Sequence, residues 1–92
     1  FSSNDDMAIT AMYLFKENNI KVPDDISIIG FDNIPLSSLV RPALSTISTP
    51  VYDMVDKAVT ELINNIRRNK RGFTSYRYDT KMIIRETCSK KL

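Results

Sequence analysis

The chain has 92 residues, 42% of them hydrophobic, which bounds it at one small domain. A net charge of +2 is too weak to imply nucleic-acid binding by itself, and no apolar run is long enough to span a membrane. With no histidine, one cysteine (Cys88) and two glycines (Gly30 and Gly72), neither a Ser–His nor a Cys–His pair can be written, nor a His-containing zinc site, nor a P-loop or dinucleotide fingerprint.

The chain opens at Phe1-Ser2-Ser3 inside what reads as structure, the end of a strand, so a C-terminal piece of a longer protein is expected. Asn4, Asp5 and Asp6 supply capping oxygens and negative charge for a helix over about Asp6 to Asn18. Met7, Ala8, Ala11, Leu14 and Phe15 share one arc at 3.6-residue spacing and are the expected core face. Ile9, Met12 and Tyr13 fall outside it. That second apolar side fits either a helix buried on both sides or a subunit contact, and the pattern weighs them equally. Asn19 can take the left-handed conformation that stops the helix, with Ile20 folding back on the last turn. Pro23-Asp24-Asp25 makes a turn. The two aspartates read as a solvated turn rather than a metal site, since a hard cation needs several more oxygens.

Ile26-Ser27-Ile28-Ile29-Gly30-Phe31 is a short β-branched run bounded by turn residues, a pattern that predicts a buried parallel strand. Asp32 follows at once. Ligands in open α/β sheets sit just beyond the carboxyl ends of strands, so Asp32 is either a ligand hook or a cap for the turn at Asn33 to Pro35. Leu36, Leu39 and Val40 give that turn an apolar side, and Arg41-Pro42 breaks it. Leu44 to Ile47 is a second strand. Two strands joined by so short a helical connection require either a neighbour in the sheet or a non-helical crossover.

Ser48 and Thr49 precede Pro50, a cap followed by proline at the first helical position. The helix predicted from there to about Arg68 places Val51, Val55, Ala58, Val59, Leu62, Ile63 and Ile66 on one arc. The basic run Arg67 to Arg71 opposes the negative helix end, and Gly72 can terminate it. A nucleic-acid patch is the weaker reading, because no aromatic platform is interleaved. Phe73 to Ser89 reads as extended, with Met82-Ile83-Ile84 its more buried part, and Lys90 to Leu92 as a polar tail.

Asn4-Asp5-Asp6-Met7-Ala8, Val22 to Asp32, Leu44-Ser45-Thr46-Ile47 and Ile83 to Thr87, in this order and spacing, resemble the lactose-repressor and galactose-repressor family of bacterial transcription regulators. The resemblance covers nearly the whole chain. It implies an α/β fragment of a two-lobed, periplasmic-binding-protein-like fold, a parallel sheet flanked by helices. Residues 1–49 would belong to the C-terminal lobe. Residues 50–72 would cross over and pack a helix on the N-terminal lobe, and 73–92 would return as the closing strand and tail. It further implies a cytoplasmic, homodimeric, non-enzymatic regulator, without cofactor or metal, that binds a small effector, a sugar above all, in the cleft between lobes. Operator DNA would be read by a helix-turn-helix head outside this segment. Carried over residue by residue, Asp32 and Asn4 are effector contacts. Thr49 stands where the family often has glutamine, and Ile9, Met12, Tyr13, Leu36, Leu39 and Val40 match the subunit contact. The alternatives are a secreted sugar-binding protein of the same fold and an enzyme or phosphoacceptor domain with Asp32 as nucleophile, which lacks a partner base.

Overall fold

The computed structural model describes residues 1–72 and 74–90. The expected tail residues Lys91 and Leu92, and Phe73 at the start of the predicted extended segment, lie outside these. The chain divides into two compact units, one of residues Phe1–Ser48 with Lys81–Leu92, the other of Thr49–Thr80.

In the first unit, helix α1 runs Asp5–Glu17. Asn4 is its cap, in extended conformation, with its side-chain oxygen accepting from Met7 N at 2.8 Å. The helix stops as its sequence suggests: Asn19 has φ 58°, and Ile20 N returns to Phe15 O at 2.8 Å. The Asp25 carboxylate closes the following turn by accepting from Lys21 N at 2.7 Å, so one of the two adjacent aspartates is occupied locally.

The core face of α1 differs from the expected arc. Ala8 and Met12 are buried and pack with Ile28 and Leu44, flanked by Ile9, Ala11, Phe15, Val22 and Val40. Met7 and Leu14 are 58% and 52% exposed. The cause is composition. Eight of the nine residues from Met7 to Phe15 are apolar, so the 3.6-residue period marks a helix without fixing which side faces inward.

The segment Ile28–Asp32 lies parallel to Ser45–Ser48, with bridges Ile29 to Ser45 and Asp32 to Ser48. Gly30 N donates to Ser45 O and Asp32 N to Ile47 O, each at 2.9 Å. The predicted strand is thus parallel, but it starts at Ile28, and Ile28 and Gly30 are its buried residues. The two paired segments are direct neighbours. Their connection contains the four-residue helix α2, Leu36–Leu39, and needs no strand between them. Ser2 N donates to Ile29 O at 2.8 Å on the other side.

Strand β1, Thr46–Ser48, pairs antiparallel with β2, Lys81–Ile83, in the register Thr46 to Ile83. Met82 and Ile84, expected to be buried, are exposed, while Ile83 between them is half-buried. Among the described residues β2 pairs with β1 alone, so side chains alternate between an inner and an outer face. The fully buried residue of the closing segment is instead Thr87. Its hydroxyl accepts from Ser45 N at 2.9 Å and donates to Ile28 O at 2.7 Å, and its carbonyl accepts from Ile28 N at 3.0 Å. One polar side chain thereby joins two strands where their own pairing ends.

The second unit is built on α3, Val51–Arg67, with Pro50 rather than Ser48 or Thr49 as the N-cap residue and no side-chain cap. The apolar arc from Val51 to Ile66 is exposed. The helix ends through Arg68 N on Asn64 O at 3.0 Å and a left-handed Asn69, φ 50°, so termination falls to Asn69 and not to Gly72. Thr74 to Thr80 carries no regular strand. Tyr76 lies on the helix surface, its hydroxyl donating to Glu61 Oε1 at 2.5 Å and Lys57 Nζ standing 4.8 Å from its ring centre. That hydrogen bond to Glu61 raises the Tyr76 pKa above its ordinary value.

A β-carbon placed on Gly30 would stand 2.1 Å from Asp5 Oδ1 and 3.0 Å from Leu44 Cδ2. Both neighbours belong to the packed interior. Gly30→Ala is therefore expected to lower the unfolding free energy by about 2–3 kcal/mol. Urea denaturation measures this, and an unchanged midpoint would show that the interior gives way freely.

Candidate functional site

The corner after the parallel segment Ile28–Asp32 holds the candidate site. Asp5 N donates to Phe31 O at 2.9 Å, which lays the Asn4–Asp5 peptide alongside the Phe31–Asp32 peptide. The start of α1 and the end of this segment are thus brought together, and with them Asn4 and Asp32. Asp32 is exposed, and Asn4 is half-buried. Since Asn4 Oδ1 serves the cap, its amide nitrogen is the atom left to donate to a ligand.

The backbone at this corner is unusual. Asp32 has φ 111° and Asn33 φ 58°. Asn33 sits in the left-handed region that asparagine tolerates, whereas φ 111° is strained for any residue with a β-carbon and costs about 1–3 kcal/mol. The neighbours compensate. Asp32 N is held by Ile47 O. Ile34 N donates to Asp5 Oδ2 at 2.9 Å. Asn33 Oδ1 accepts from Arg85 Nη2 at 2.8 Å and from Ser37 Oγ at 3.2 Å. The α2 turn takes no side-chain cap, from Asp32 or any other residue, and the backbone N–H of Ile34 before it goes to Asp5.

Asp5 is the residue that sequence reasoning assigned least. The sequence offers it, with Asn4 and Asp6, as a source of capping oxygens, yet it is fully buried. Its Oδ1 accepts from Thr46 Oγ1 at 2.6 Å and its Oδ2 from Ile34 N. It also stands at the first position of α1, where the helix dipole favours a carboxyl group. Nothing in the run Asn4-Asp5-Asp6 separates it from Asp6. The weak cue lies elsewhere, in Gly30 interrupting the β-branched run Ile26 to Phe31.

Of the proposed subunit-contact residues, Tyr13 and Leu39 are 63% and 69% exposed and Leu36 is exposed as well. Ile9 and Val40 are half-buried against the core. Met12 is buried at 8% and packs in the core with Ala8, Ile28 and Leu44. Thr49 is half-buried at the start of the second unit. A groove of about 510 Å³ on the first unit, lined by residues including Phe1, Met7, Phe15, Ile26 and Ile28, is apolar and includes neither Asn4 nor Asp32. Among the described residues no three acidic, histidine or cysteine side chains gather as a metal site, and no helix is long and apolar enough to cross a membrane.

Asp5→Ala should leave the Thr46 O–H and the Ile34 N–H without acceptors in the interior, a loss of about 3 kcal/mol. Asp5→Asn, which can still accept at one atom and donate at the other, should lose less than half of that. Equal losses in the denaturation midpoints would mean that cavity volume, not hydrogen bonding, sets the cost.

Residues 1–88 match the family described as the periplasmic binding protein-like domain. The ribose operon repressor of Halalkalibacterium halodurans is 38% identical over 89 residues, which is 95% of this chain and 26% of the repressor. A LacI-type transcription regulator from Bifidobacterium animalis superposes with a TM-score of 0.85 at 32% identity, over 94% of this chain and 31% of the regulator. A LacI family regulator from Enterococcus faecium, with ribose bound, gives 0.85 at 25% identity, over 95% and 32%. The chain thus spans about a quarter of the curated relative and a third of the solved ones. All three are regulators and none is named as an enzyme. By a match taking in residues 1–88 of 92, the chain belongs to the periplasmic binding protein-like domain family, and within it resembles the LacI-type regulators.

Proposed function

We propose that this chain is the C-terminal part of the effector-binding region of a dimeric, DNA-binding repressor, and that its effector is a sugar. The observation that carries the reading is the exposed Asp32 carboxylate, held beyond the end of a parallel segment with Asn4 beside it. A carboxylate accepts two hydroxyl hydrogen bonds side by side, and an amide nitrogen donates to a third oxygen, which suits a polyhydroxylated ring. The name of the Halalkalibacterium relative and the ribose bound in the Enterococcus regulator support the same chemistry. Thr49 is the third proposed contact.

In this reading residues 1–49 form part of one lobe, residues 50–72 cross and pack the exposed apolar arc of α3 on the other lobe, and 73–92 return. The pairing of β2 with β1 supports the return. Tyr13, Leu36 and Leu39, with Ile9 and Val40 at their edge, form the subunit contact. The head that reads operator DNA lies outside this segment. Effector and operator then influence each other's affinity by about 1–3 kcal/mol, and reciprocally. A cytoplasmic location follows from that role. The relatives, being regulators, favour it over a secreted binding protein.

Calorimetry on the intact repressor, with a monosaccharide panel that includes D-ribose, tests the effector site. Asp32→Ala should weaken sugar binding at least about tenfold, since a hydrogen bond to a charged group contributes roughly 1.5–3 kcal/mol. Its melting temperature should not fall, because the side chain is exposed and the backbone strain remains. Unchanged affinity would refute the assignment. For the subunit contact, Leu39→Asp should shift the dimer toward monomer in sedimentation by placing a charge at an apolar interface. A dimer of undiminished affinity would put the contact elsewhere.

A further inference from the structure

We infer that Arg85 is a positioning residue for effector binding: through Asn33 it holds Asp32 in the orientation that meets the effector. The inference rests on the reading of Asp32 as an effector contact and adds the residue that aims it. Asp32 is exposed, and its direction is set by the backbone, which passes through φ 111° and then φ 58° at Asn33. Such a pair persists only where the surroundings over-determine it. The upstream side is fixed by Asp32 N on Ile47 O. On the downstream side Asn33 N donates to Thr46 Oγ1 at a long 3.4 Å, and Asn33 Oδ1 accepts from Arg85 Nη2 at 2.8 Å.

Arg85 is itself held on several sides. Its Nη1 donates to Ser37 Oγ at 2.8 Å and to Leu44 O at 2.9 Å. Its backbone N donates to Ser45 Oγ at 2.8 Å. The three acceptors of the guanidinium are neutral oxygens from the corner, the α2 turn and the strand below. A planar fork can reach all three at once, and the point charge of a lysine cannot. The arginine sits two residues beyond β2, so the closing segment contributes to the site from the opposite end of the chain. At 2.8 Å from Asn33 Oδ1, Arg85 makes the shortest of the holds on the residue after Asp32, the others being Ser37 Oγ on the same oxygen at 3.2 Å and Asn33 N on Thr46 Oγ1 at 3.4 Å.

The test is a double-mutant cycle on the intact homodimeric repressor. Binding is measured by calorimetry with whichever sugar of a pentose and hexose panel, D-ribose included, binds the unmodified protein most tightly. Melting curves establish that each variant is fully folded at the temperature used. Arg85→Lys should weaken binding about tenfold, and in an Asp32→Ala background the same substitution should change affinity by less than about twofold, because the two act as one unit. Should Arg85→Lys fail to fold, Asn33→Gly carries the same cycle. It removes the acceptor oxygen at a φ that glycine takes freely. Unchanged affinity in Arg85→Lys, or an equal loss in both backgrounds, overturns the inference while leaving Asp32 its role. An Asp32→Ala variant that binds as the parent does, or a panel with no binder, overturns both readings at their shared base.

Discussion

The buried carboxyl group of Asp5 is the interaction on which the rest of this segment depends. A carboxyl in a protein interior is costly unless each oxygen finds a donor. Here one oxygen takes the Thr46 hydroxyl from a strand and the other takes the Ile34 N–H from the corner. The residue's own N–H goes to Phe31 O. One side chain therefore joins the helix start, strand β1 and the loop that follows the parallel segment. Gly30 is its counterpart, since any β-carbon there would occupy the space of Asp5 Oδ1. The segment's polar framework thus has a steric condition as well as an electrostatic one.

From that tie follows a division of labour between two acidic residues. Asp5 is turned inward and spent on structure, which frees Asp32 from capping the turn and leaves it exposed. The strain at Asp32 and Asn33 is borne by Asp5 on one side and by Arg85 on the other. Thr87 does comparable work at the opposite end of the same strands, bridging Ile28 and Ser45. The corner that carries Asp32 and Asn4 is thus held by hydrogen bonds from several directions. A site held in place beforehand loses less freedom on taking a ligand.

Much of this architecture can be read from the residues. The helices announced themselves by period, by Asn4 ahead of α1 and by Asn19 after it, and the parallel strand by its β-branched run ending at Asp32. Resemblance in motif order carried the family. What remained hidden has a common cause. Periodicity identifies an apolar stripe only where polar residues border it, and from Met7 to Phe15 α1 is apolar almost all round, so its period does not tell buried Met12 from exposed Met7. An isolated β-branched run does not show whether one face or two are covered, so Met82 and Ile84 were expected to be buried. Asp5, Thr46, Thr87 and Arg85 meet partners 29 to 59 residues away, and no local pattern encodes such pairings.

Hydrogen exchange at the Ile34 amide tests the central tie most directly, because that N–H has the Asp5 carboxyl as its partner. In the intact protein it should exchange as slowly as the Gly30 and Asp32 amides of the paired strands. In Asp5→Ala it should exchange at the rate of an open loop while Gly30 remains protected. Rapid exchange at Ile34 in the unmodified protein, with Gly30 protected, would contradict the account, since the corner would then be free of the carboxyl said to hold it.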